Sequence, residues 1–312
     1  MKFLRIYEDL GFHTKDEVFE YFMKSLKHTN RIYDFFIDWS KIFQHVENIE
    51  IELNILNYLI GKTNIKDEFI KLIDRHPEIV PIIPILIAVR DENLEILTNY
   101  KTPEWEYKNF SFEIKEKYSL QEINDIVEFC EKIGLLNLFQ DRKIKNLVDY
   151  CIGLEVGIDT NSRKNRSGDI MESIIEWHLS NLCNKLKLEY ISQATKSKIY
   201  KKWKLELPVD KNSRKYDFAI LSNSGRLILI ETNFFSDGGS KLKSVAGEFQ
   251  ALDKFLKNHH IVEKFIWITD GIGWNSAKSS LYETYTNNDF VINTKMITDG
   301  VLEEIIKLQE DN

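Results

Sequence analysis

The 312-residue sequence contains little glycine, proline or cysteine, with 13 Gly, 5 Pro and 3 Cys. Because the few glycines and prolines are spread along the chain, collagen-like, linker-like and low-complexity proteins are excluded. The cysteines are an odd number and form no CxxC pair, which argues against a zinc site. We therefore expect Cys130, Cys151 and Cys183 to be reduced residues of the core.

Long apolar runs and a secretory signal are also missing. The longest apolar stretch, residues 79–89, is too short to cross a bilayer and contains Pro81 and Pro84, so a buried core segment is expected there. At the N-terminus, Glu8 and Asp9 arrive before an apolar segment long enough for a signal peptide. We expect a cytoplasmic protein without a membrane partner.

The first half of the sequence, residues 1–150, is predicted to form a mainly helical domain. Apolar residues recur there every three or four positions, which is typical of amphipathic helices. Residues 101–112 are predicted as a non-helical connection, because Pro103 biases the preceding residue towards an extended conformation. This half carries 20 Lys and Arg against 27 Asp and Glu, so extensive contact with phosphates is disfavoured.

Helical and strand patterns alternate in the second predicted domain, residues 151–312. Two apolar runs flank an Asn-Ser-Gly turn at residues 223–225, which indicates an antiparallel hairpin. The order of elements predicts an α/β (α+β) fold in which helices flank a mixed β-sheet. The predicted helices are residues 168–186, 244–258, 275–284 and 298–308, and the predicted strands are residues 215–221, 226–232, 262–269 and 290–292.

Positive charge is concentrated in residues 161–215, which hold 13 Lys and Arg against 6 Asp and Glu. A localised positive surface suits a polyphosphate backbone, although such a run also fits a solvated helix or hairpin face. Arginine and asparagine have the hydrogen-bonding groups that recognise guanine and adenine. The candidate DNA contacts are Asn161, Arg163, Lys164 and Arg166, in a polar stretch before the helix at residue 168, and Lys201, Lys202, Lys204 and Arg214.

Two acidic residues on the predicted hairpin form a candidate metal site. Asp217 lies near the start of one strand and Glu231 near the end of the next, so the hairpin can bring their carboxylates together. Glu231 ends the run Leu-Ile-Leu-Ile, where a charge is costly unless it binds a cation or is otherwise paired. Two hard oxygen ligands suit Mg²⁺, which activates water and screens charge at phosphorus. Glu172, on the preceding helix, is a third candidate carboxylate, although a solvent-exposed acidic face is the alternative.

Longer segments carry a family resemblance. Asp217 followed by the Glu-x-Asn triplet at 231–233 resembles the PD-(D/E)xK nuclease pattern with its usual lysine replaced. Between about residues 159 and 281 the sequence is similar to the DpnII/MboI family of type II restriction endonucleases. The segments that carry this similarity are DTNSRKNRSG at 159–168 followed by Met171 and Glu172, KYDF at 215–218, ETNFFSDGGSKL at 231–242 and FIWITDGIGW at 265–274.

The resemblance implies a restriction-endonuclease-like core and a site-specific deoxyribonuclease. Its expected substrate is unmethylated double-stranded DNA, cleaved at 5′-GATC-3′ with Mg²⁺ as the cofactor. Asp217 and Glu231 would then bind the metal ion, and Glu172 would supply the helix carboxylate found in many nucleases of this fold. The host would protect its own sites with a cognate adenine methyltransferase, which is a genetic rather than a physical partner.

The catalytic lysine of the pattern is missing, because Asn233 occupies its position. The Asn233 amide carries no charge, so it would at most orient water or phosphate. Lys241 and Lys243, which follow the glycines at 238–239, are candidates for the missing cation. Each of them also fits an ordinary phosphate contact or a solvated loop lysine.

A palindromic target is most simply recognised by a two-fold homodimer, which we expect here. The missing lysine keeps open the alternative of a catalytically inactive, sequence-specific DNA-binding protein. Within the nucleases, a GATC nickase or a repair nuclease is the other alternative. Metal-dependent nicking and the products of cutting distinguish these three functions.

Overall fold

The computed structural model describes residues 1–101, 104–212 and 214–308, except for the side chain of Lys164. Its α-helices are α1 (Arg5–Asp9), α2 (Lys15–Lys24), α3 (Trp39–Glu47), α4 (Glu50–Leu56), α5 (Ile65–Arg75), α6 (Leu120–Lys132), α7 (Leu135–Gln140), α8 (Leu147–Leu186), α9 (Lys196–Trp203), α10 (Ser240–Leu256), α11 (Lys278–Asn287), α12 (Thr294–Thr298) and α13 (Val301–Lys307). Its strands are β1 (Asn93–Asn99), β2 (Glu106–Ser111), β3 (Glu189–Ala194), β4 (Tyr216–Leu221), β5 (Leu227–Phe234), β6 (Val262–Asp270) and β7 (Phe290–Ile292). Short 3₁₀ helices lie at Tyr33–Phe35, Asn57–Leu59, Pro77–Ile82, Pro84–Ile87 and Ile272–Ala277.

The chain forms two compact units. The sheet unit comprises Met1–Ile32 and Lys164–Asn312, and the helical unit comprises Tyr33–Arg163. These bounds differ from those of the predicted domains, 1–150 and 151–312, because the first 32 residues pack with the sheet and α8 continues past residue 150 without a break. The division into a helical and an endonuclease domain itself stays a prediction.

The sheet unit is built on a mixed five-stranded sheet with the strand order β3-β4-β5-β6-β7. β4 pairs antiparallel with both β3 and β5, whereas β5, β6 and β7 run parallel to one another. The predicted mixed sheet and hairpin are therefore confirmed. The sequence pattern does not predict β3, because most of its residues are half-buried and show no clear apolar alternation.

β5 and β6 lie side by side within the sheet, since their sequences are almost uninterrupted apolar runs. The first six residues of β5 are buried, and β6 is buried at every position except Glu263. Such runs are typical of parallel strands with both faces covered. On β6, Trp267 is fully buried and packs against Phe249 and Trp274, with ring centroids 4.9 and 5.6 Å away.

Helix α8 is much longer than the predicted helix at residues 168–186, since it already begins at Leu147. The candidate DNA contacts Asn161, Arg163 and Arg166 therefore lie inside a helix, and the prediction of a polar stretch before it is wrong. This part of α8 is rich in polar residues, so no apolar periodicity identifies it as helical. Among the described residues, no helix combines the length and the apolar character needed to cross a membrane.

Three further helices differ from their predicted bounds, and the first of them, predicted at 244–258, is α10 at Ser240–Leu256. The predicted helix at 275–284 starts as a 3₁₀ helix, and α11 begins only at Lys278. The predicted helix at 298–308 is interrupted at Gly300, which separates α12 from α13. Gly300 has a φ of 94°, a left-handed conformation that glycine adopts without a steric penalty.

The helical unit contains the antiparallel hairpin β1–β2 in addition to its helices. The strand β1 is exposed or half-buried along its length, so its residues show no alternation that a sequence pattern detects. β2 falls in the segment that was predicted as a non-helical connection, of which Thr102 and Pro103 lie outside the described residues. The apolar stretch at 79–89 contributes Ile79, Val80 and Leu86 to the buried core, as predicted.

The three cysteines are buried and free, as the sequence predicts. Burial raises the pKa of the Cys151 and Cys183 thiols to about 11. Their thiolate forms, which react with oxidants and bind metals, are therefore disfavoured at neutral pH.

Asp270, at the end of β6, fixes the N-terminal segment to the sheet. Its completely buried carboxylate accepts hydrogen bonds from the backbone N–H groups of Lys27 (2.8 Å), Gly271 (2.7 Å) and Thr294 (3.1 Å), and from the Thr294 hydroxyl. A charge in the interior is tolerated when donors surround it in this way. The contact with Lys27 is one reason why residues 1–32 belong to the sheet unit.

We predict that Asp270→Ala lowers the free energy of unfolding by at least about 2 kcal/mol, because three backbone N–H groups, that of Gly271 fully buried, lose their acceptor. Asp237→Ala is the matched control, since the Asp237 side chain is exposed and lies 3.6 Å from Arg31. The control should change the free energy of unfolding by less than about 0.5 kcal/mol. Urea denaturation followed by tryptophan fluorescence measures both variants. Equal stability of the two would contradict the role of Asp270.

Candidate functional site

Asp217 and Glu231, here called the acid pair, lie next to each other at one end of the β4–β5 hairpin. The last paired residues of the two strands are Phe218 and Ile230, so the next position places Asp217 opposite Glu231. Asp217 Oδ2 accepts hydrogen bonds from the backbone N–H (2.7 Å) and the hydroxyl (2.9 Å) of Thr232. The hairpin therefore brings the two predicted carboxylates together, and Thr232 fixes the orientation of one of them.

Glu231 is the more deeply buried member of the acid pair, with 7% of its surface exposed. Burial raises its pKa well above the usual value for glutamate, and the carboxylate of Asp217 raises it further. Its Oε1 atom has no hydrogen-bond partner among the described residues. Among the described residues, the cationic group within 4 Å of it is Arg214, whose Nη1 lies 3.8 Å from Oε1.

Asp217 and Glu172 share this negative environment. Burial raises the pKa of Asp217, and the two hydrogen bonds from Thr232 act in the opposite direction. The pKa of Glu172, on α8, is raised by burial and next by the charge of Asp217. The helix carboxylate predicted from the sequence therefore does lie within electrostatic range of the acid pair.

The acid pair fits a hard divalent cation. A half-buried and a buried carboxylate that repel each other, the latter with an unpartnered oxygen, become stable as charged groups when a cation lies between them. Within the described ranges, no group of three or more His, Cys, Asp and Glu side chains is arranged to hold a metal ion. A small cation such as Mg²⁺ needs only one or two protein carboxylates, because water and phosphate complete its shell.

Asn233 lies two residues after Glu231 on β5, so its side chain is on the same face of the strand. Its Oδ1 accepts a 2.8 Å hydrogen bond from the indole Nε1 of Trp267, which sequence reasoning did not single out. Because an indole only donates, this bond fixes which way the amide points. The NH₂ group of Asn233 is therefore directed away from Trp267 and remains a donor.

The structure brings a lysine to the acidic site that was not among those predicted, and the role of Lys241 and Lys243 stays a prediction. Lys241 and Lys243 are exposed in the first turn of α10, and neither forms an ion pair with the acid pair in the described part of the chain. Lys215 instead donates from Nζ to Gln193 Oε1, and Gln193 Nε2 donates to Glu172 Oε2. Alternation along the strand is the signal that could have found Lys215, since it precedes Asp217 by two residues.

Gln193 has an unusual backbone conformation. Its φ of 50° lies in the left-handed region, which costs a non-glycine residue about 1–3 kcal/mol. In the β3–β4 register Ser192 pairs with Phe218 and Ala194 with Tyr216, so Gln193 is skipped and lies opposite Asp217. A strained residue next to the acid pair was not predictable from the sequence.

Arg214, predicted as a DNA contact, is largely used within the protein. Its side chain is 10% exposed and forms ion pairs with Asp210 at 2.7 Å and Glu248 at 3.0 Å. These carboxylates neutralise most of the charge that a phosphate contact would need. The position near Glu231 indicates that Arg214 partly offsets the burial of the acid pair.

The remaining candidate DNA contacts are divided between the two units. Asn161 is exposed in the helical unit, and Arg163 donates from Nε to the carbonyl of Phe36. Arg166 belongs to the sheet unit, and the side chain of Lys164 lies outside the described residues. Lys201, Lys202 and Lys204, at the end of α9, are exposed and suited to phosphate, although Lys202 also pairs with Glu189 at 3.2 Å.

Known proteins similar to this chain are restriction enzymes. The family model described as DpnII restriction endonuclease matches residues 18–304, so the similarity extends well beyond the segments at 159–281 and includes the helical unit. The type II restriction enzyme MjaIII of Methanocaldococcus jannaschii is 48% identical over 290 residues, which cover 92% of this chain and 99% of that enzyme.

Two further relatives show similar coverage at lower identity. The type II restriction enzyme LlaDCHI of Lactococcus lactis subsp. cremoris is 39% identical over 94% of this chain and 95% of its own length. The type II restriction enzyme DpnII of Streptococcus pneumoniae is 35% identical over 92% of this chain and 98% of its own length. No solved structure matches the chain significantly.

Proposed function

Since the chain belongs to the DpnII restriction endonuclease family, we propose that it cleaves unmethylated double-stranded DNA at 5′-GATC-3′ with Mg²⁺ as its cofactor. The chain is a type II site-specific deoxyribonuclease, so hydrolysis of a phosphodiester bond is the reaction its site has to perform. The observation that carries the proposed mechanism is the buried acid pair, in which Glu231 Oε1 lacks a partner among the described residues. The GATC target is implied by the motif resemblance.

The acid pair would hold the metal ion, and bound Mg²⁺ would supply an activated water and neutralise charge on the phosphate. Thr232 keeps Asp217 in one orientation through its two hydrogen bonds. Asn233 offers a donor of fixed direction on the same face as Glu231. Glu172 adds negative charge beside Asp217, which strengthens the preference of the site for a cation.

A DNA substrate fits the exposed positive charge at the end of α9. Exposed lysines at the end of α9 are suited to contact phosphates, and such contacts position the duplex without reading its sequence. We place this activity in the cytoplasm, where the host DNA is, with an adenine methyltransferase as the genetic partner that protects it. The methylated base then distinguishes host DNA from foreign DNA.

Digestion of one plasmid, prepared with and without adenine methylation at GATC, tests the proposed function. With Mg²⁺ we expect discrete fragments from every GATC of the unmethylated plasmid and an intact methylated plasmid. In EDTA we expect no cutting, because the acid pair then lacks its cation. Cutting of the methylated plasmid alone would contradict the proposed target, and nicked circles without linear product would indicate a nickase.

Asp217→Asn and Glu231→Gln should each slow cleavage by more than about 100-fold, since even the residues around a metal ligand typically contribute 10- to 100-fold. Binding of a GATC duplex without divalent metal should be as tight as wild type or tighter, because each variant removes a negative charge. Fluorescence anisotropy measures the binding, and single-turnover cleavage measures the rate.

Glu176→Gln is the matched control for these two variants. It removes the same charge from the sheet unit, at a residue whose only described hydrogen bond is a long one of 3.4 Å from Tyr190. Glu176 is half-buried one turn after Glu172 on α8, but its described hydrogen bond is to Tyr190 and not to the acid pair. We therefore expect its cleavage rate to stay within about threefold of wild type. A variant of the acid pair that cuts as fast as Glu176→Gln would overturn the metal assignment.

A two-fold homodimer is part of the proposal, because symmetric protein contacts match a palindromic site. Sedimentation of the protein with one GATC duplex should give the mass of two chains per duplex. A mass of one chain at saturating protein would contradict the dimer and leave the hydrolysis of DNA unaffected.

A further inference from the structure

Hydrolysis of a phosphodiester at this site needs a positive charge that Asn233 does not supply. A water oxygen bonds to phosphorus, the P–O ester bond breaks, and one water proton ends on the leaving oxygen. Negative charge develops on the phosphate oxygens during this step, and a preorganised group that stabilises it typically contributes about 10²- to 10³-fold in rate. An amide donates hydrogen bonds but carries no net charge.

The cations near the acid pair differ in how far their charge is available. Arg214 is paired with Asp210 and Glu248, so little of its charge is left for a substrate. Lys215 donates to the side-chain oxygen of Gln193, which is a neutral acceptor. The ammonium of Lys215 is exposed and therefore accessible to a phosphate.

We propose that Lys215 is the catalytic cation of the site and that Gln193 is its positioning residue. The inference rests on the proposed function, since it requires phosphodiester hydrolysis at the acid pair. Lys215 contacts a non-bridging oxygen of the scissile phosphate and stabilises the developing negative charge there.

Continuing the hairpin register beyond its last pair leads from Lys215 to the position of the missing lysine. Phe218 pairs with Ile230, and each further antiparallel pair is reached by one step back on β4 and one step forward on β5. Lys215 directly precedes β4, and three steps from this pair along the same register relate it to Asn233. The charge of Lys215 also opposes the effect of burial on the pKa of Asp217, which places Lys215 close to the acid pair.

Gln193 determines where the Lys215 ammonium lies. Its side chain donates to Glu172 through Nε2 and accepts from Lys215 through Oε1. Since a carboxylate only accepts and an ammonium only donates, this amide has one possible orientation. The left-handed φ of Gln193 is a strained conformation that the surrounding sheet maintains, as is common at functional sites.

Lys215→Met removes the charge but keeps an unbranched side chain of similar length. At saturating GATC duplex with Mg²⁺ we expect its single-turnover cleavage rate to fall by about 100-fold or more. Its dissociation constant for the duplex without divalent metal should rise by less than about 10-fold, as for the loss of one phosphate contact. Lys215→Arg, which keeps the charge, should recover most of the rate.

Lys254→Met is the control, because Lys254 is an exposed lysine of α10 outside the site. It should cut and bind as wild type does. The inference is overturned if Lys215→Met cuts within about threefold of Lys254→Met, or if its whole defect is in the dissociation constant. A wild-type protein that cuts no DNA at all would instead overturn the proposed function and this inference with it, so the two failures are distinguishable.

The role of Gln193 is tested by combining variants. Gln193→Leu should slow the single-turnover rate by about 10-fold, which is typical for a residue that orients a site group. In the Lys215→Met background the same substitution should have almost no effect, because there is no ammonium left to position. Rate losses that multiply in the double variant would contradict a role of Gln193 that acts through Lys215.

Discussion

Two carboxylates buried against each other impose the main constraint on the sheet unit. Removing a charge from water costs several kcal/mol unless donors or opposite charges surround it. Thr232 donates two hydrogen bonds to Asp217, and Arg214 lies 3.8 Å from Glu231, yet one oxygen of Glu231 has no partner among the described residues. The protein therefore compensates this cost only in part. The remaining free-energy cost makes the acid pair suited to bind a cation, since a fully neutralised pair would have little affinity for one.

The apolar centre of the sheet determines how the polar residues at its end are oriented. β5 and β6 run parallel with both faces covered, so a polar side chain at the end of β5 has to find its partner within the sheet. Asn233 finds it in Trp267, which is itself held between Phe249 and Trp274. The direction in which Asn233 donates is thus set by packing in the core. Any rearrangement of that core would change the hydrogen-bonding direction of a residue beside the acid pair.

The hairpin and its two acids were predictable because their signals are local. An Asn-Ser-Gly turn joins two apolar runs, and Glu231 ends one of them, where a charge is costly unless it is paired or binds a cation. The surroundings of Lys215 were not predictable, because they depend on Gln193 in β3, a strand without apolar alternation. Gln193 also has a left-handed backbone conformation, which sequence patterns associate with glycine. The ion pair of Arg214 with Glu248 was also not predictable, because Glu248 lies on α10, 34 residues further along the chain. Local patterns predict elements, whereas pairs of distant residues appear only when the register is known.

A cation that stabilises a phosphate is defined by its place in space and not by its place in a motif. In an antiparallel hairpin, the residue two positions before the first acid and the residue two positions after the second acid lie across from each other. A lysine that moves from one of these positions to the other stays at the same end and on the same face of the hairpin, although the sequence motif is lost. Asn233 at the vacated position still donates a hydrogen bond, with a direction that Trp267 fixes. The Glu-x-Asn triplet is therefore compatible with an intact nuclease site, and the missing lysine by itself does not indicate a loss of catalysis.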